Sequence, residues 1–408
     1  KRELTVLVTF KDACDRTVTV ESNVFSYNTK GSEIAFENTD SAWKAADIEI
    51  PIHINDITGI ESVTISVNDT PVDAVRTSVT DTSEAYTYTL TENSPSTGTK
   101  VSVSVVNRAG DTTLSEFLYR LDKQVPVVTL SGITNDSKNH ADQTLTIGLD
   151  ENIWNEMTVT AVASRTMDGT KHDIDLGTIT AQSSSYSIEK SFAEEGIYDI
   201  QITAKDAAGN TDQKSIHFLI DKTAPIVDFK NKDGSWTNQD ISVPIQVTEG
   251  LSGLGSIVIT ENGNEIRPTV VNETKSERNY VFTLTDNSPE EGTKIVVTAT
   301  NEAGVTSTTE YTYRLDKQAP TLNLSGVING NIYNINQTVT VRAEDNIWAE
   351  MQPVVITATK LLDGVTTEQD LGSFAMNSAS TSNSRSFTED GVYQVTATAT
   401  DLNSAEAV

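Results

Sequence analysis

The chain has 408 residues, which suggests three or four domains, and its 58 acidic and 29 basic side chains give a formal net charge of −29. This excess of acid argues against a nucleic-acid-binding surface, which needs Lys and Arg to displace counterions from phosphates, and against docking on an anionic membrane. The single cysteine, Cys14, excludes a disulfide framework within the chain, and no apolar run is long enough to predict direct membrane insertion.

The chain repeats itself with a period of 194 residues. Residues 119–126 (YRLDKQVP) return as residues 313–320 (YRLDKQAP), and a weaker echo at 220–225 (IDKTAP) falls about midway. The repeating unit is therefore a pair, A followed by B, each about half the period long. The predicted repeats are A1 at 30–123, B1 at 124–222, A2 at 223–317 and B2 at 318–408.

The two ends of the chain complement each other in this scheme. Residues 8–13 (VTFKDA) match 202–207 (ITAKDA) in B1, so residues 1–29 are predicted to be the last strands of a truncated preceding repeat. B2 is expected to lack its last strand, and any signal peptide or anchor is expected outside this sequence. An alternative is that residues 16–27 of one chain complete the B2 sheet of another, which would make a self-assembling fibre by strand donation.

Strand patterns follow one another along each repeat. In residues 48–54 every second residue is isoleucine, a period of two that predicts a half-buried strand. Pro51 lacks an N–H group, which predicts an edge strand or a bulge there. No stretch holds an apolar stripe of helical period. About seven short strands per repeat predict an all-β fold of tandem immunoglobulin-like β-sandwiches, and the Gly-free linkers predict an elongated rod.

A tyrosine marks the same position in both B repeats. Tyr198 follows Glu195-Gly196-Ile197, and Tyr393 follows Asp390-Gly391-Val392. A tyrosine near the start of the sixth strand of a sandwich is typical of the tyrosine corner, in which the hydroxyl bonds to upstream backbone. The A repeats carry Gly-Thr-Lys there, so this device is expected only in B.

Residues 206–210 (DAAGN), a strand and then residues 220–225 resemble the turn and linker motifs of bacterial Ig-like repeats in large cell-surface proteins. The resemblance implies a non-catalytic, extracellular stalk or adhesive segment whose partners are neighbouring Ig-like repeats. Two other functions stay open. The repeats could form a binding module for a glycan or a host surface protein, or they could be accessory repeats of a secreted multidomain enzyme.

No catalytic site is predicted. None of the four histidines has a zinc-ligand spacing, and the carboxylate pairs are those expected by chance in an acidic chain. Trp154 and Trp348 recur in the loops after the second strand of the B repeats. A tryptophan there can pack against the end of its domain or contact a ligand, and both interpretations stay open.

Acids recur where each B repeat begins. In an array of sandwiches the linker lies beside two loops of the next domain, so acids in these three elements should converge and supply hard oxygen ligands for Ca²⁺. The alternative is that the acids are hydrated or paired with Lys123 and Lys317. The predicted ligands are Asp122, Asp150, Glu151 and Asp206 in B1, and Asp316, Glu344, Asp345 and Asp401 in B2.

Overall fold

The fold comes from a computed structural model that describes residues 2–23, 25–27, 29–401 and 406–407. Regular structure in these ranges is strand, apart from two single-turn 3-10 helices. None of the helices there is long and apolar enough to cross a membrane. The chain divides into two compact units: one holds the residues up to 219 except 138–141, and the other holds 138–141 and the residues from 220 onward.

The N-terminal segment contains two pairs of strands. The strands are β1 (Arg2–Leu4), β2 (Leu7–Lys11), β3 (Thr17–Glu21) and β4 (Phe25–Tyr27). β2 and β3 form an antiparallel hairpin with Thr9 opposite Thr19, and β1 pairs with β4. Asp12 closes the hairpin turn by accepting hydrogen bonds from the N–H groups of Cys14 and Arg16, both at 2.9 Å. The segment predicted for strand donation, 16–27, is thus already paired along one edge within its own chain.

A1 contains two sheets that enclose one core. Its strands are β5 (Glu33–Phe36), β6 (Trp43–Lys44), β7 (Ile48–Asn55), β8 (Ile60–Val67), β9 (Thr70–Pro71), β10 (Val75–Val79), β11 (Ser83–Leu90), β12 (Thr99–Asn107) and β13 (Thr112–Leu121). The sheet orders are β10-β11-β7-β5 and β6-β13-β12-β8-β9. Ile50, Ile52 and Ile54 are completely buried, and the residues between them are exposed or half-buried. The period-2 pattern therefore gives one face of β7 to the core.

The prediction that Pro51 marks an edge strand or a bulge is wrong. β7 lies between β11 and β5, with Pro51 in regular register opposite Thr87. In an antiparallel bonded pair, each residue normally exchanges both N–H and C=O with its partner. Here the Glu37 N–H donates to the Pro51 carbonyl at 2.9 Å, and the Tyr119 hydroxyl donates to the Glu37 carbonyl at 2.8 Å. Tyr119 thus supplies the hydrogen bond that the proline cannot donate.

B1 is built in the same way. Its strands are β14 (Val127–Ser131), β15 (Ser137–Asn139), β16 (Gln143–Asp150), β17 (Thr158–Met167), β18 (Thr170–Ile174), β19 (Ser185–Phe192), β20 (Gly196–Lys205) and β21 (Thr211–Ile220), and a 3-10 helix spans Trp154–Glu156. One sheet has the order β14-β16-β19, and β21, β20, β17 and β18 lie side by side in the other. Phe192, Tyr198 and Phe218 form an aromatic cluster in the core.

A2 has the same arrangement as A1. Its strands are β22 (Ile226–Phe229), β23 (Trp236–Thr237), β24 (Ile241–Thr248), β25 (Leu254–Glu261), β26 (Asn264–Ile266), β27 (Thr269–Glu273), β28 (Glu277–Leu284), β29 (Thr293–Asn301) and β30 (Thr306–Leu315). The sheet orders are β22-β24-β28-β27 and β23-β30-β29-β25-β26. Its core includes Val243, Val297 and Tyr313, each completely buried.

B2 repeats the arrangement of B1. Its strands are β31 (Thr321–Ser325), β32 (Gln337–Glu344), β33 (Val354–Leu362), β34 (Val365–Phe374), β35 (Ser380–Phe387), β36 (Val392–Thr400) and β37 (Glu406–Ala407), and the second 3-10 helix spans Trp348–Glu350. The sheet orders are β31-β32-β35 and β34-β33-β36-β37. The two residues of β37 pair with Ala399 and Thr400. This short pair lies along β36, and the expectation that B2 lacks its last strand stays a prediction.

Tyrosine hydroxyls pin the sandwiches in two ways. In B1 and B2 the hydroxyls of Tyr198 and Tyr393 donate to carbonyls four residues upstream, at 2.7 and 3.1 Å, which confirms the predicted tyrosine corners. In the A repeats, Tyr119 and Tyr313 of the last strands donate to the carbonyls of Glu37 and Asn231. Each A repeat therefore has its own tyrosine bond, from a strand where sequence reasoning predicted none.

Candidate cation-binding site

The predicted convergence of acids occurs in B1. Asp122 lies in the linker after β13, Glu151 follows β16, and Asp206 follows β20. All three are buried, and one carboxylate oxygen from each lies within 4.8 Å of the others. We call these three residues the B1 acid site. Three carboxylates at this spacing form an all-oxygen donor set, which suits a hard divalent cation.

Local hydrogen bonds hold each acid in place. The Ile153 N–H donates to Glu151 Oε1 at 2.9 Å, where the chain turns from β16 into the 3-10 helix. The Gln124 N–H donates to Asp122 Oδ1 at 3.1 Å. Asn210 donates to Asp206 from its backbone N–H and its side-chain Nδ2, both at 2.8 Å. The carboxylates are thus oriented by the protein itself.

Two buried oxygens at this site have no hydrogen-bond partner among the described residues: Glu151 Oε2 and Asn152 Oδ1. Glu151 is only 2% exposed, so water does not readily solvate that oxygen. Burial raises the pKa of Glu151, and the charges of Asp122 and Asp206 raise it further. Burial and the charge of Asp206 also raise the pKa of Asp122. A buried, unpaired carboxylate oxygen beside two other acids is costly, and a bound cation would remove that cost.

The same pattern recurs in B2 at Asp316, Asp345 and Asp401, which we call the B2 acid site. The Ile347 N–H donates to Asp345 Oδ1 at 2.7 Å, and Asp345 Oδ2 and Asn346 Oδ1 are buried without a hydrogen-bond partner in the described ranges. Burial, with the charges of Asp316 and Asp401, raises the pKa of Asp345 to about 6. Within the described residues these acids do not meet the 4.8 Å spacing of the B1 acid site.

Two of the predicted ligands lie apart from these sites. Asp150 is the exposed last residue of β16, in register with Val127 and Ser185. Glu344, the last residue of β32, is half-buried and contacts Arg342 at 2.5 Å. The sequence offered two adjacent acids in each loop, and in each repeat the second one is buried with the other acids.

Lys123 and Lys317 pair with acids other than the linker acids. Lys123 Nζ lies 2.7 Å from Asp47 Oδ1, and Lys317 Nζ contacts Asp240 and donates to the Thr285 carbonyl. Both lysines thus pair with acids of the preceding A repeat, because their side chains run back along it. Asp122 and Asp316 instead accept hydrogen bonds from the amides of Asn152 and Asn346, at 3.2 and 3.0 Å.

The comparisons with known proteins concern architecture. No family model and no curated protein matches the chain. A three-domain fragment of titin with a Glu-to-Ala change is 12% identical over 70% of this chain and 100% of its own, with a TM-score of 0.44. A D1–D4 ectodomain fragment of ICAM-5 is 12% identical over 85% and 100%, also at 0.44. A tetra-tandem repeat from the extending region of a large adhesion protein is 18% identical over 92% and 96%, at 0.39.

The paired sheets and the tyrosine corners give the chain a tandem immunoglobulin-like fold. In the B repeats, the 3-10 helices begin at Trp154 and Trp348, the two tryptophans for which ligand contact is one of the two interpretations. Trp348 packs against the B2 core cluster, and both Trp348 and Trp154 are half-buried. Packing against the domain therefore describes Trp348, and ligand contact by the two tryptophans stays a prediction.

Sequence reasoning missed the asparagines of these Ig-like repeats. Asn152 and Asn346 follow the buried acids directly, and each bonds to the linker acid. Asn210 joins Asp206 to the linker, since its Nδ2 also donates to the carbonyls of Asp122 and Gln124 at 3.0 and 3.2 Å. The recurrence of Asn152 after 194 residues was the available signal. Asparagine carries no charge, so a pattern of recurring acidic residues does not point to it as a ligand.

Proposed function

We propose that this chain is a non-catalytic, extracellular structural segment of a bacterial surface protein, a stalk whose B repeats bind Ca²⁺ at their N-terminal ends. The observation that carries the proposal is a buried carboxylate oxygen that lies beside other acids and has no hydrogen-bond partner among the described residues, Glu151 Oε2 in B1 and Asp345 Oδ2 in B2. Its recurrence in every second sandwich suits a modular, load-bearing array. The net charge of −29 keeps such segments soluble and mutually repulsive.

Calcium fits the donor set better than other cations. The available groups are carboxylates and an amide carbonyl, which are hard oxygen ligands, with no cysteine or histidine among them. Ca²⁺ tolerates irregular arrangements of six to eight oxygens, whereas Mg²⁺ demands a near-ideal octahedron. Ca²⁺ sites of extracellular modules typically have dissociation constants of about 10⁻⁴–10⁻³ M, which connects the site to the proposed location.

The location can be tested on the organism that encodes the chain. An antibody against this segment should label intact, unpermeabilised cells, and protease added outside the cells should remove the signal. A cytoplasmic marker protein serves as the control and should be labelled only after lysis. Labelling of the segment only after lysis would contradict an extracellular role.

Calcium should raise the thermal stability of the chain. A ligand that binds only the folded state stabilises it by about 2.7 kcal/mol at 100 times its dissociation constant, which for a domain of this size corresponds to roughly 10 °C or more in melting temperature. The measurement is differential scanning calorimetry of chelator-treated protein with and without CaCl₂. NaCl at matched ionic strength is the control, because salt also screens the net charge of −29. Equal shifts with both salts would contradict specific binding.

A further inference from the structure

One position differs between the two kinds of repeat. In the B repeats, Asp206 follows β20 and Asp401 follows β36, whereas in the A repeats the corresponding strands β12 and β29 end at Asn107 and Asn301. One oxygen has the same role in three of them: the Oδ1 atoms of Asp206, Asn107 and Asn301 each accept a bond from the N–H four residues later, at 2.8 to 2.9 Å. The repeats therefore differ in the second terminal atom, which is oxygen in aspartate and an NH₂ donor in asparagine.

In A2 that donor completes the hydrogen bonding of the linker acid. Asn301 Nδ2 donates to Asp221 Oδ2 at 3.0 Å and to the Thr223 carbonyl at 2.9 Å. Asp221 is completely buried and also accepts bonds from the N–H groups of Thr223 and Ser252. These hydrogen bonds from protein groups replace the contacts that water or a cation would otherwise make with the carboxylate.

The second acid of A2 is satisfied as well. Glu249 Oε1 accepts a bond from the Leu251 N–H at 3.0 Å, and its Oε2 accepts one from the Gly253 N–H. Lys138 adds a positive charge to this end of A2, where its Nζ donates to the Ser252 carbonyl at 2.8 Å. The Ser252 hydroxyl is buried without a partner in the described ranges, but it carries no charge. Both carboxylates of A2 thus have all their oxygens bonded.

In A1 a single buried acid, Asp56, also has both carboxylate oxygens hydrogen-bonded. Asp56 Oδ2 accepts bonds from Asn107 Nδ2 at 3.1 Å and from the Ser32 hydroxyl at 2.8 Å. Its Oδ1 accepts bonds from the N–H and the hydroxyl of Thr58. Burial alone would raise the pKa of Asp56, but these hydrogen bonds outweigh it and the pKa lies below the usual value.

The B repeats lack this donor. At the corresponding place in B1, Asp206 contributes a carboxylate oxygen to the B1 acid site, and its two oxygens accept bonds from the N–H and Nδ2 groups of Asn210. Among the described residues Glu151 Oε2 has no hydrogen-bond partner, and neither does Asp345 Oδ2 in B2. Aspartate has no donor for these neighbouring acids, whereas an asparagine amide donates to a carboxylate directly, and a cation or a proton would satisfy the remaining oxygen.

We propose that this one position decides which repeats respond to divalent cations. In the A repeats the asparagine amide satisfies the buried carboxylate by a hydrogen bond, whereas in the B repeats aspartate leaves a carboxylate oxygen that Ca²⁺ satisfies. The inference rests on the proposed function, since it assigns the Ca²⁺ sites of the segment to alternate repeats. Calcium would then stabilise every second domain of the array, and the A repeats would keep their stability when calcium is withdrawn.

The test compares the intact chain with its Asp206→Asn and Asp206→Ala variants. Hydrogen exchange with mass spectrometry should show Ca²⁺-dependent protection at residues 150–156 and 205–210 of B1, and none at 249–254 and 300–305 of A2. Titration calorimetry should show one bound ion fewer for both variants than for the unchanged chain. In chelator Asp206→Asn should melt higher than Asp206→Ala, because the new amide can donate to the neighbouring acids and alanine cannot.

Asp168→Asn is the matched control, since Asp168 is an exposed turn residue of B1 and the charge change is the same. It should bind as many ions as the unchanged chain. Calcium-dependent protection in A2, an unchanged number of ions in Asp206→Asn, or equal melting of the two Asp206 variants in chelator would overturn the inference. The first of these outcomes leaves calcium binding by B1 intact. No binding by the unchanged chain would instead overturn the calcium part of the proposed function, and the inference with it.

Discussion

Replacing Phe218 with alanine is expected to destabilise B1 by about 3–5 kcal/mol, the usual cost of removing a buried aromatic ring. Phe218 is completely buried, lies parallel to the Tyr198 ring at 4.8 Å between centroids, and meets the Phe192 ring edge-on at 5.4 Å. The cavity left by the ring cannot be filled, because its walls belong to two sheets held by their own ladders. The measurement is urea denaturation followed by near-ultraviolet circular dichroism.

Phe10→Ala is the matched control for this variant. Phe10 lies on the N-terminal hairpin with 67% of its surface exposed, so the same substitution should change the free energy of unfolding by less than about 0.5 kcal/mol. A loss of similar size in both variants would show that the Phe218 result does not arise from core packing in B1.

The second large effect is expected from Asp221→Ala, at about 3 kcal/mol or more in A2. The carboxylate accepts bonds from the N–H groups of Thr223 and Ser252 and from Asn301 Nδ2, at 3.0 to 3.1 Å. Alanine would leave these donors without that acceptor, and each buried donor without a partner costs about 1–3 kcal/mol. The Asn301 amide keeps its bond to the Thr223 carbonyl, which limits the loss. Calorimetry in chelator should show a lower melting transition.

Asp228→Ala provides the comparison, because it removes the same charge from the same repeat. The carboxyl of Asp228 is partly exposed and pairs with Lys230 and Lys232. Exposed ion pairs contribute little to stability because water screens them, so this variant should melt close to the unchanged protein. A small effect of Asp221→Ala would mean that water replaces its hydrogen bonds and that the A2 end is open to solvent.

Most of the fold could be predicted from local patterns. Alternation in residues 48–54 marks the buried face of β7 because successive side chains of a strand point to opposite faces. The tyrosine corners of Tyr198 and Tyr393 were also predictable, since each hydroxyl bonds only four residues away. The prediction for Pro51 failed because it considered only the missing N–H group, while a tyrosine hydroxyl from a distant strand, Tyr119, satisfies the neighbouring carbonyl.

The acid site was predictable in part. Convergence of the linker with two loops follows from the order of strands in a sandwich, and this is why Asp122, Glu151 and Asp206 could be named together. The choice between Asp150 and Glu151 could not be made, because one step along a strand moves a side chain to the opposite face. The register of β16 against β14 and β19 decides it.

The sequence by itself determined that the chain is a series of A and B sandwiches, with aspartate at positions 206 and 401 where the A repeats have asparagine. Only the tertiary structure decided what that difference does. Asn301 meets Asp221 across 80 residues of chain, and no group in the described part of the chain donates to the second oxygen of Glu151. Strand alternation is a property of neighbouring residues, so it can be read locally. Hydrogen-bond satisfaction depends on which groups the completed fold brings together, so it can be read only there.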